Sequence, residues 1–294
     1  MVFEQIFGPK WLEKKPGLTF LLGFVYAELG IISALLIFPE NPSLISIGFI
    51  SILILPSLNQ LLSMETNQDI KRKKFSLIYL FKDHYDILSV YAFLFLGILL
   101  AYGIFAAVLP AAHTERVFEV QLDIYFSNVG RSIDPYVGTI QGAAVQGASV
   151  AGIAYSQAAD FWSIFLNNLK VILVCLVFSL VYGAGSILFL TWNASVWGTI
   201  FGYVAKRTAD TGPEIVNFFV IMACVFPHMI SEALSYFMAV FAGGIISKAV
   251  IREKFDSRMF NHVLLDGFVI FFLALVLLLI AAWLEVYIFP FFTC

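Results

Sequence analysis

An all-α bundle of about seven membrane-crossing helices is the fold class this sequence predicts, and three observations predict it. Of 294 residues, 61% are hydrophobic and 13% charged, against about 45–50% and about 25% in a soluble domain. The mean hydropathy is +0.91. The apolar residues run on over stretches of about 20, the length of helix that crosses a bilayer, without the alternation of a membrane barrel. A water-soluble enzyme, a disordered chain and a fibrous chain are excluded. The net charge of −3 is no footprint for nucleic acid. Of three Cys, Cys175 and Cys224 lie inside apolar runs. They read as small buried hydrophobes rather than as a disulfide framework.

In chain order, the runs at 18–38, 43–64, 88–110, 161–182, 187–205, 214–247 and 263–289 are the expected crossings. The first is too long for a cleaved signal peptide and carries Glu28 at its middle. The segment before it, with Trp11, suits the membrane interface. The pair 161–182 and 187–205 is separated only by Tyr182-Gly183-Ala184-Gly185-Ser186, with no charge to hold the turn in water. It reads as a hairpin of two crossings or as a partly re-entrant pair.

Positive charge sets the orientation. Segments 1–17, 65–87 and 248–258 hold 3, 5 and 4 Lys/Arg, and the intervening segments 39–42, 111–160 and 206–213 hold 0, 2 and 2. The bias predicts a multi-pass protein of the cell membrane with a cytoplasmic N-terminus and an external C-terminus. The cluster Lys71-Arg72-Lys73-Lys74 serves this topology or binds anionic lipid headgroups. Three regions are expected: a three-span part at 1–110, an outer loop at 111–160 and a four-span part at 161–294. The loop's first half, with Val117, Phe118, Leu122 and Tyr125 among Glu115, Arg116, Glu119 and Asp123, predicts amphipathic helical pieces packed at the bundle's outer end. Its second half, Gly138 to Gly152, holds small residues and two Gln. It reads as a re-entrant half-helix over about 137–155 or as a surface loop.

Ionisable groups at bilayer depth are costly and count as candidate sites. Glu28, Lys170, His228 and Glu232 fall near mid-span, while Asp266 and Glu285 lie close enough to span ends to reach headgroups or water. Asn167 and Asn168 precede Lys170 by a turn or less. His228 and Glu232, four apart, share a helix face just after Pro227. The pair suits a proton relay, two ligands of a metal site, or a structural hydrogen bond at a kink. A zinc site needs more ligands, and no metal or cofactor is expected. Lys170 needs an acid at similar depth, which only Glu28 or Glu232 supplies. No mid-span Asp pair, His-Glu-x-x-His, GxGxxG or phosphate loop occurs, so no enzymatic activity is expected.

Residues 165–247 resemble the stage II sporulation protein M family of integral membrane proteins. The resemblance rests on three pieces in order. The first is Phe165-Leu-Asn167-Asn168-Leu169 with Gly183-Ala-Gly185. The second is Asn193-Ala-Ser-Val-Trp-Gly198 with Gly202. The third is Pro227-His228-Met-Ile-Ser-Glu232 with Ala242-Gly243-Gly244. Met229 and Ala194 stand where the family carries glycine. The resemblance implies a non-enzymatic membrane scaffold of the cell envelope, docking membrane or envelope proteins or a second copy, with the lipid bilayer as its surroundings. A transporter or channel using Glu28, Lys170, His228 and Glu232 for a solute or protons is the alternative.

Overall fold

The computed structural model describes residues 15–69, 77–129, 150–207, 212–252, 254 and 257–288. Among these the chain is helical, with no strand. In order, α1 is Leu18–Ile37, α2 Pro42–Asp69, α3 Leu77–Val108, α4 Ala111–Val117, α5 Glu119–Val129, α6 Val150–Tyr182, α7 Ile187–Arg207, α8 Glu214–Arg252 and α9 Arg258–Trp283. A single 3-10 turn, Gly183–Ser186, joins α6 to α7, and a π turn, Leu284–Ile288, follows α9. Among the described residues, seven helices are long and apolar enough to cross a membrane: all but α4 and α5. Their spans agree with the hydropathy runs to within about four residues at each end. The stretch 130–149 lies outside the described residues, and with it most of the expected re-entrant segment. Residues 150–155 are the first turns of α6.

Long α8 is the hub, with 72% of its spanning window buried, against 17% for α6. It carries Phe237 against Tyr91 and Phe95 of α3, and Tyr236 against Trp197 of α7. Between lipid-facing helices no water is expelled, so close van der Waals packing and small residues hold them together. The α1–α3 crossing illustrates this: a Cβ added at Gly97 would sit 2.1 Å from the Phe20 carbonyl oxygen. The α3–α7 crossing uses Gly198 and Gly202, four apart, where added Cβ atoms would meet carbonyl oxygens of Leu99 and Gly103 at 2.3 Å.

The first half of the expected outer loop packs on the end of the bundle that carries the α1–α2 turn. Val117, Phe118 and Leu122 are buried there. Gln121 is fully buried and acts as a clip: its Oε1 accepts from Ser43 Oγ at 2.5 Å, and its Nε2 donates to Ser43 O and Ser195 Oγ at 3.4 Å. Lys206 Nζ donates to the Leu109 carbonyl and, at 3.0 Å, to Thr114 Oγ1. The Leu109 carbonyl, just past the end of α3, thus accepts from both Lys206 and, at 3.2 Å, Thr114 Oγ1.

The uncharged turn between α6 and α7 is satisfied from within. Gly183 has φ 58°, a conformation glycine adopts without steric cost. Its carbonyl accepts from Ser186 Oγ at 3.1 Å and Ser179 Oγ at 3.3 Å, and Ser179 Oγ also donates to Val240 O of α8 at 2.5 Å.

Two sequence expectations are corrected here. Cys175 is a buried free thiol, but Cys224 is disulfide-bonded rather than a small buried hydrophobe. Asp266 does not reach headgroups or water; it is buried, with Oδ2 3.7 Å from His262 Nε2 one turn earlier on α9.

Candidate functional site

Helix α8 sets the site. It runs on through Pro227, and a four-residue spacing puts His228 and Glu232 on one side, about midway along the span. Both line a cavity of about 540 Å³. Helix α6 brings Ser163, Asn167 and Asn168 to the same cavity, α7 brings Trp197 and Phe201, and the π turn brings Glu285. Met229 is buried and forms part of the wall. Ser163 and Asn167 are exposed, so the cavity opens beside the outward side of α6.

Glu232 is 6% exposed. A buried carboxylate needs donors, because desolvation without hydrogen bonds is expensive. Asn168 supplies one: its Nδ2 donates to Glu232 Oε1, while its Oδ1 accepts from Tyr236 OH at 3.0 Å. The chain Tyr236–Asn168–Glu232 ties α6 to α8 and fixes the Asn168 amide orientation. One face of Glu232 is thus anchored while the residue borders the cavity.

The structure brings four of the sequence-predicted residues together: Asn167, Asn168, His228 and Glu232. It separates the others. Pro227 is exposed on α8. Asn193 donates to Phe189 O of its own helix at 2.7 Å and lies with Lys170 on a different groove, of about 510 Å³, between α2, α6 and α7. Glu28 is half-buried on α1. The expectation that Lys170 pairs with Glu28 or Glu232 is therefore not met: among the described residues it makes no ion pair, and Glu232 takes its hydrogen bond from Asn168 instead. An amide on the same helix reaches the buried carboxylate, whereas Lys170 points to the exposed side.

Sequence reasoning missed Glu285, because its closeness to a span end suggested solvent. Its signal was being the one acid in the apolar run 267–290. Among the described residues, no three His, Cys, Asp or Glu side chains gather at ligating distance for a metal ion. What the cavity offers chemically is two carboxylates, an imidazole, amides and two aromatic walls. These are groups that hold water, a small cation or a proton.

Seven apolar spans around a polar mid-span cavity define a multi-pass integral membrane protein. The family model of Stage II sporulation protein M matches residues 89–290, more than half of the chain. The chain belongs to this family. The match extends well beyond 165–247, taking in most of α3, α4, α5 and α9. An uncharacterized protein of Methanocaldococcus jannaschii is 28% identical over 134 residues, covering 45% of this chain and 71% of that protein. No solved structure matches. The glycines of the second sequence piece have a physical reason: Gly198 and Gly202 are where α7 meets the α3 backbone.

Proposed function

We propose that this chain is a non-enzymatic docking protein of the cell envelope that holds membrane partners through α6. One observation carries the reading. The outward stripe of α6 sets Ser163, Asn167 and Lys170 among Trp162, Leu166, Leu173 and Val177, all exposed. Ser163 and Asn167 border the mouth of the polar cavity, but lipid tails offer the Lys170 ammonium nothing, and a charge at the helix centre costs about 2.5–3.5 kcal/mol on insertion scales. A protein surface with matching polar groups removes that cost. A photo-crosslinking side chain at Leu166 is expected to yield discrete protein adducts in native membranes, while the same group at exposed Phe272 on α9 yields lipid adducts. Lipid adducts alone at both positions would defeat the reading.

The orientation proposed is N-terminus cytoplasmic and C-terminus outside, from the Lys/Arg bias of the connecting segments. Single cysteines at positions 72 and 120, in a chain otherwise free of Cys, are expected to label from opposite sides of sealed vesicles. Labelling of both from one side would reverse this conclusion.

A second reading, passage of a small cation or proton, is favoured by the cavity shared by Glu232, Glu285 and His228. Intramembrane carboxylates lining a cavity commonly mark such pathways.

A further inference from the structure

We propose that the partner seated on the α6 stripe is a second copy of this chain, docked so that Glu28 of each copy pairs with Lys170 of the other. This rests on the docking reading above and names its partner. Helix α1 carries its own outward stripe, with exposed Leu21, Val25, Leu29 and Ile32 and with Glu28 at the edge. Near mid-span each stripe thus presents one ionisable group, of opposite sign, the exposed Asp160 of α6 lying ten residues from Lys170, towards the start of the helix. Among the described residues neither group has a charged partner.

The two charges sit at the same depth, and α2 is the ruler. Gly30 packs against Ser46 and Ile50 of α2, and Glu28 lies two residues away, about 3 Å along the axis at 1.5 Å per residue. Lys170 borders the groove formed with Ile47 and Gly48 of the same helix. Helices α1 and α6 therefore flank α2, whose own outward side carries exposed Leu44 and Ile52. A two-fold axis along the membrane normal preserves depth, and an isologous interface repeats each contact. With the axis past the outward side of α2, each Glu28 faces the partner copy's Lys170, making two ion pairs in a lipid-excluded seam. The apolar groove beside Lys170 receives the α1 stripe of the other copy.

The test is the monomer–dimer equilibrium of the full chain in liposomes, read by single-molecule photobleaching across a dilution series. Wild type is expected to be dimeric. Lys170→Met and Glu28→Gln, which place no new charge in the membrane, are each expected to weaken the dimer by about tenfold or more. The double exchange of Glu28→Lys with Lys170→Glu is expected to restore it. A thermal-melt control in detergent separates these effects from misfolding. A monomeric wild type, or a Lys170→Met chain that dimerises like wild type, overturns the proposal. If wild type is monomeric while Leu166 still crosslinks to protein in native membranes, the second copy is wrong and the docking reading stands. If only lipid adducts form there, both fall.

Discussion

Asn168→Leu is expected to destabilise the protein by about 3 kcal/mol, since each buried polar group left without its hydrogen-bond partner costs about 1–3 kcal/mol. Two groups lose their partner at once: Glu232 loses a donor and the Tyr236 hydroxyl loses its acceptor. Glu232→Gln is expected to be far milder, because its amide oxygen still accepts from Asn168 Nδ2. Glu232→Leu falls between, leaving an unpaired amide at about 1–3 kcal/mol. Thermal melts of the three variants in detergent give the order. The same series divides the two functional readings. If Glu232 is structural, the Gln variant keeps both stability and function. If it carries protons, the Gln variant stays folded but shows no proton flux in liposomes. An Asn168→Leu chain as stable as wild type would remove the physical basis of the site.

Two glycines in helix interiors should respond with opposite sign to the same change. Gly97→Ala puts a Cβ 2.1 Å from the Phe20 carbonyl oxygen and 2.8 Å from the Phe24 nitrogen. These are backbone atoms, so α1 must move away from α3. The expected loss is about 1–3 kcal/mol, the range for overpacking, or more if the crossing does not re-form. Gly48→Ala meets nothing within 4 Å and removes a helix-weakening residue, so about 0.5–1 kcal/mol of stabilisation is expected. Melting temperatures of the two variants in detergent decide it. Equal behaviour would mean that the α1–α3 crossing is looser than described.

The spans were legible in the sequence because hydropathy is a one-dimensional property and membrane crossing is a one-dimensional demand. The His228–Glu232 face was legible for a similar reason, since a four-residue spacing is enough to place two side chains together. What escaped required knowing which helix stands beside which. Glu285 looked solvated because only its distance to the span end was visible, yet the π turn aims it into the α6–α8 cavity. Lys170 was expected to meet an acid in its own chain. An amide two residues earlier, on the bundle side of α6, meets Glu232 instead. Asp266 appeared free to reach water, but its position on α9 turns it inward to His262. Gln121 was passed over among charged neighbours, although it is the residue that fastens α5 to α2 and α7.

The turn Gly183–Ser186 bears on how this protein is made. Its polar groups are closed off by Ser179, Ser186 and the α8 backbone, and it carries no charge for the insertion machinery to retain on one side. Helices α6 and α7 are therefore joined without a charged tether at their junction. Their seating must come from neighbours instead. The parts of α2 and α3 that receive α7 are synthesised earlier, whereas α8, which supplies the Val240 carbonyl, is synthesised later. The hairpin is thus held provisionally by one half of the molecule until the other half arrives to lock it.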